Sequence, residues 1–187
     1  MFSINYEILE EEKNRISEIN HMREFEGDVN TIMGQIQLVF NKTIEGFVDN
    51  DIPSSSEFLI TWFKLLNDVL IQLKAHSFVT INLPASDSIW LEFDLNNEEV
   101  VVSQIKAEKE LYVKNFVVNS PKKRSELFWC EIISKDELYK TILNSTSNLI
   151  KDILSINKLI SESKEFKELE DKYMKAKGVG MVEKWEF

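Results

Sequence analysis

The chain has 187 residues, 43% of them hydrophobic and 11% aromatic, which is enough apolar side chain for a real core and excludes general disorder. The formal net charge of −10 disfavours a broad nucleic-acid surface, whose phosphates need Lys and Arg to displace counterions; the excess acid either simply keeps the protein soluble or suits a basic protein partner. With a single cysteine, Cys130, no intramolecular disulfide can form.

Phe2, Ile4 and Tyr6 alternate with Ser3, Asn5 and Glu7, which predicts a first strand. The charged run from Glu10 to Arg15 reads as a solvated connector with helical potential. A second strand is predicted over Thr31 to Asn41, with Ile32, Ile36, Leu38 and Phe40 on one face and Gln35, Gln37 and Asn41 on the other. Gly34 within it marks a bulge or a close backbone approach. Ser54 and Glu57 match a capping box, and Phe58, Trp62, Leu65, Leu66, Val69 and Leu73 follow at helical spacing. Leu59, Phe63 and Leu70 widen that stripe, so the helix should be largely buried.

Phe78 to Leu83 reads as a strand ended by Pro84. Ile89 to Leu95 and Val100 to Ile105 read as a β-hairpin. A two-residue turn at Asn96-Asn97 would oppose Asp94 to Glu99, a like-charge pair, so the longer loop that sets Phe93 against Val102 is favoured. Two further strands are predicted at Leu111 to Val118 and Leu127 to Ile133, joined by a basic loop through Lys122, Lys123 and Arg124. The apolar neighbours of Cys130 predict a buried thiol. Ser134 and Glu137 form a second capping box, before a helix with Leu138, Ile142, Leu149, Ile153 and Ile156 on one stripe. The polar run Asn144 to Asn148 predicts either a kink or a helix held by tertiary packing. A last helix starts at Ser163, buries Phe166, Leu169 and Tyr173, and stops at Gly178.

Together these elements predict an α+β fold, an antiparallel β-sheet with a buried central helix and C-terminal helical cover. A single domain is expected over 1–187, with sheet and one long helix in 1–133, C-terminal helices in 134–178 and a tail in 179–187.

Chemistry-bearing motifs are missing. His21 and His76 have no metal-ligand spacing, no phosphate-binding glycine loop occurs, and nothing singles out one carboxylate pair among many. No cofactor, no metal and no enzymatic activity are expected. The N-terminus lacks the pattern of a signal peptide and the apolar runs are too short for a bilayer, so the expected location is the cytoplasm, with no membrane partner. Either hairpin register places Trp90, Glu92 and Asp94 on the face opposite the core residues Leu91 and Phe93. A tryptophan framed by carboxylates is a candidate partner-binding patch for a cationic surface. The alternative is that a C-terminal helix covers Trp90.

The stretches Gly34 to Leu38, Glu57 to Phe63, Ile89 to Phe93 and the capped closing helices give the chain an organisation that resembles small immunity-like proteins associated with polymorphic toxins of Firmicutes. The resemblance implies a protein that binds and neutralises a toxin domain, and it transfers no functional residue. The other readings are a scaffold or regulatory interaction domain, and a hydrolase with a nonstandard carboxylate site. A polar pocket with convergent carboxylates would favour the hydrolase.

Overall fold

The alternation at the N-terminus produces the expected strand. In the computed structural model, which describes residues 1–27, 31–49, 52, 56–84, 86–108, 116–117 and 123–178, β1 (Phe2–Ile8) pairs antiparallel with β2 (Met33–Phe40). Phe2, Ile4 and Ile8 from β1 join Ile36, Leu38 and Phe40 from β2 in the core, as their period of two requires. Between the two strands lie α1 (Glu10–Ser17) and α2 (Met22–Gly27). One residue of the acidic run is not solvated. Glu12 is buried and accepts two 2.7 Å hydrogen bonds from Arg15 and one of 2.9 Å from the Met33 backbone N–H. Gly34 makes a close backbone approach and no bulge: a β-carbon there would collide with the Glu7 carbonyl oxygen and the Leu59 side chain.

Two short strands complete this sheet along the other edge of β2. β3 (Thr43–Phe47) returns from β2 through a turn in which Asn41 takes a φ of 52°, a conformation asparagine tolerates. β4 (Glu57–Phe58) pairs with Met33 and Gly34. The expected capping box therefore does not form. Glu57 is a strand residue, α3 (Leu59–Leu73) begins after Phe58, and Ser54 lies outside the described residues. Phe58 drops out of the helical stripe and is exposed, whereas Leu59, Trp62, Phe63, Leu66, Val69 and Leu70 are buried.

Among the described residues the second sheet holds five antiparallel strands in the order β8-β5-β6-β7-β9. They are β5 (Phe78–Asn82), β6 (Ile89–Asn96), β7 (Glu99–Ala107), β8 (Phe116–Val117) and β9 (Arg124–Ser134). The β6–β7 hairpin takes the favoured register, with Phe93 facing Val102 and Asp94 facing Val101, away from Glu99. The loop is shorter than expected, because Asn96 pairs with Glu99 and leaves a two-residue turn at Asn97-Glu98 in which Asn97 takes a φ of 57°. Of the expected strand at Leu111 to Val118, only Phe116–Val117 lies within the described residues. Cys130 corrects an expectation. It lies opposite Ser103 on the outer face of edge strand β9, beside Ile132 and Leu127, and is exposed. An apolar run on an edge strand is buried only where its alternate residues meet a covering layer.

After β9 the chain turns helical, with α4 (Lys135–Ile156), a 3₁₀ turn (Lys158–Glu162) and α5 (Lys164–Lys177). Ser134 occupies the N-cap of α4, but its hydroxyl makes no capping bond, while Ser163 caps α5 by accepting from Phe166 N–H at 3.3 Å. Gly178 ends α5 in the left-handed region, with φ of 82°. α4 runs unbroken through Asn144–Asn148, because Thr146 is buried against α3. Its hydroxyl donates to Ile142 O and accepts from Asn67 Nδ2, both at 2.8 Å. Lys64 reaches from α3 to Glu165 and Glu168 on α5, and Lys74 donates to the last carbonyls of α5 at Lys175 and Ala176.

The fold is α+β as expected, but it has two antiparallel sheets rather than one. The apolar stripe of α3 is too wide for a single sheet to cover, and buried residues of both sheets join α3, α4 and α5 in one core cluster. At one end the sheets are clasped together. Glu131 on β9 accepts from Asn41 Nδ2 and Thr43 Oγ1, each at 2.9 Å, and Trp129 packs on Phe40 with ring centroids 5.3 Å apart. The bonds from Asn41 and Thr43 hold the Glu131 carboxyl below its usual range.

Candidate functional site: an apolar cleft between the sheets

The face carrying Trp90, Glu92 and Asp94 is turned away from the main core, as the alternation requires, but it is not an open surface. Trp90 is 1% exposed, donates its indole N–H to Ala107 O at 3.2 Å, and forms a small apolar cluster with Ile105 and Ala107. That cluster is separate from the core that holds the apolar residues of the helices. Glu92 is 3% exposed and forms an ion pair with Arg124 at 3.2 Å. Arg124, the exposed first residue of β9, is thus tied back to the sheet by a buried carboxylate; Lys123 pairs with Glu108, and Lys122 lies outside the described residues. Asp94 is half-buried. Trp90 and Glu92 therefore cannot serve as an exposed anchor and its acidic rim.

A different site lies where the two sheets diverge beyond the clasp. Ile36 and Leu38 of β2, Trp62 of α3, and Leu83 and Ile89 at the β5–β6 connection wall a cleft of about 360 Å³. Phe128 joins them because of a bulge. The β7–β9 register jumps from Gln104 opposite Trp129 to Ile105 opposite Leu127, which leaves Phe128 without a partner, lining the cleft and 44% exposed.

Two carboxylates enter this apolar cleft. Glu45 lies opposite Leu38 in the β2–β3 register, and hence on the inner face of its sheet; Gln104 of β7 donates to it from the other sheet. Glu57 lies opposite Gly34 on β4 and accepts the Trp62 indole N–H at 3.0 Å. Burial raises the Glu45 pKa; the Gln104 hydrogen bond opposes that rise and the nearby Glu57 charge adds to it. No Lys, Arg or His is among the described lining residues, and neither carboxylate has an ion pair among the described residues.

The raised pKa has a consequence for stability. Between the unfolded and folded pKa values the native state keeps a proton that the unfolded chain has lost, so the contribution of Glu45 falls as pH rises through that window. Glu45→Gln keeps an acceptor for Gln104 and removes the charge. It should therefore unfold at a higher denaturant concentration than wild type at about pH 7, with the difference shrinking as pH falls through the raised folded value of Glu45 and gone below its unfolded value. Equal midpoints for the two proteins at every pH would contradict this electrostatic account.

The lining offers little for covalent chemistry. Its one hydroxyl among the described residues, Ser86, accepts from the backbone N–H groups of Ser88 and Ile89. His21 and His76 are exposed elsewhere, and among the described residues no three His, Cys, Asp or Glu side chains group as a metal site. No described helix is long and apolar enough to cross a membrane. Sequence reasoning missed Glu45, Gln104 and Phe128 and gave Glu57 a capping role. Asn41-Lys42 ahead of Thr43-Ile44 was a usable hairpin signal for β3, but nothing local placed Glu45 beside Glu57.

Fold and site together define an α+β protein with two clasped antiparallel sheets and an acidic, apolar-walled cleft between them. Compared with protein-family models, curated proteins and solved structures, the chain matches none.

Proposed function

We propose that the chain is a non-enzymatic protein-binding module of the immunity or inhibitor type, which binds and neutralises a toxin domain with a basic surface through the inter-sheet cleft. The observation that carries this reading is the cleft itself, an open apolar groove with two carboxylates and, among the described residues, no cation to balance them. Its rim presents Phe128, and Phe47 lies opposite Ile36 on the inner face of β3; both are partly exposed and suited to anchor a partner. The net charge of −10 would hasten encounter with a basic protein.

The test is a calorimetric titration with the toxin domain encoded by an adjacent gene. A stoichiometric complex is expected, with association slowed by salt and affinity lowered by about 2 kcal/mol in Phe128→Ala. No complex, or wild-type affinity in both Phe128→Ala and a folded Glu45→Lys variant, would overturn the reading. One observation favours a second reading, a hydrolase with a nonstandard carboxylate site. Glu45, with its raised pKa, lies near a second carboxylate, as in a general acid paired with an ionised partner. Turnover of a model ester or glycoside that Glu45→Gln abolishes would select that reading instead.

A further inference from the structure

We infer that the cleft is a seat for one arginine side chain of the partner protein, its guanidinium held between Glu45 and Glu57 and its stem covered by Phe128. The inference rests on the partner-binding reading and names the chemistry that reading requires at this site. Three features of the cleft converge on it.

The first is charge. Glu45 from β3 and Glu57 from β4 are the titratable groups of the described lining; β2, α3, the β5–β6 connection, β7 and β9 contribute none. A cation entering the cleft relieves both the burial of Glu45 and its repulsion by Glu57. The second is donor number. Gln104 and Trp62 each supply one N–H, to Glu45 and Glu57 respectively, which leaves further lone pairs on both carboxylates. A guanidinium carries five donors in a planar fork and can serve two carboxylates at once, whereas an ammonium is a compact point charge that is more strongly hydrated. The third is the wall. A cleft lined by Ile36, Leu38, Leu83 and Phe128 favours an apolar stem with a weakly hydrated head, which again is arginine. A metal ion would fit the wall poorly, because no third carboxylate or histidine is among the described lining residues.

The probe is N-acetyl-arginine amide, titrated into the ¹⁵N-labelled full chain, with N-acetyl-lysine amide and the neutral isostere N-acetyl-citrulline amide as controls. The Trp62 indole N–H, which donates to Glu57, and the Gln104 side-chain amide, which donates to Glu45, report on the site directly. Saturable shifts of both are expected with arginine amide, at a Kd on the order of millimolar for a single side chain. Lysine amide should bind more weakly and citrulline amide should leave both signals unmoved. Glu45→Gln and Glu57→Gln each retain an acceptor for their donor and should each weaken arginine binding about tenfold. Affinity should also fall as the pH is lowered and Glu45 takes up its proton.

Absence of a saturable shift in wild type, or shifts of equal size with citrulline amide, would overturn the arginine seat. Because the probe needs no partner, the two readings fail separately. A toxin domain that binds while the arginine amide does not would overturn the seat and leave the partner reading in place. An amide that binds, together with a toxin domain that does not, would support the seat and overturn the immunity reading.

Discussion

Trp62→Ala should lower the unfolding free energy by about 3–5 kcal/mol, the range for removing a large aromatic side chain from a packed core. Trp62 is 5% exposed, lies in the first turns of α3, and forms part of the back wall of the inter-sheet cleft. Truncation would remove the indole from the core cluster and leave Glu57 without its indole donor. Trp62→Phe separates these contributions, since it keeps most of the apolar volume and loses the N–H, and it should cost only about 1–2 kcal/mol. Urea denaturation followed by circular dichroism measures both. A midpoint for Trp62→Ala equal to that of wild type would show that α3 does not pack here.

Gly34→Ala should be nearly as damaging, at about 3 kcal/mol, although it adds a single methyl group. Gly34 pairs with Ile8 on one side and Glu57 on the other, so strands flank it on both edges while Leu59 closes over it. The added β-carbon would overlap the Glu7 carbonyl oxygen, which is backbone and has no rotamer into which to retreat. Relief requires β1 to move off β2, or α3 to lift at its first residue. Either movement disturbs the pairing that carries Phe2, Ile4 and Ile8 into the core. Amide hydrogen exchange should show lost protection in β1 ahead of β6 and β7. Wild-type stability in Gly34→Ala would mean that β1 and α3 do not meet over this position.

Legibility along the chain followed the range of the interaction involved. The β6–β7 register was readable because the competing registers differ by a contact between near neighbours, Asp94 against Glu99, and repulsion decides between them. The α5 boundaries were readable because Ser163 and Gly178 act within one turn of themselves. At Ser134 and Glu137 the same pattern marked the correct start for α4 without forming the bonds it suggests. The pattern at Ser54 and Glu57 was misleading because Glu57 has a stronger long-range option in pairing with Gly34 and accepting from Trp62.

Periodicity by itself determined that this protein has β1, β2, a broadly buried α3, the β6–β7 hairpin and two C-terminal helices. Each of those features depends on which residues share a face within one element. Only the tertiary structure decided which faces meet a covering layer. Trp90 and Cys130 show the limit from opposite directions: the aromatic that was a candidate surface anchor is enclosed, and the thiol expected inside is open. The cleft is the furthest from sequence reach. Glu45 and Glu57 come from two edge strands paired with β2, Trp62 from α3 and Gln104 from the other sheet. Their convergence depends on how two sheets diverge around one helix, a long-range packing outcome that no local pattern of residues encodes.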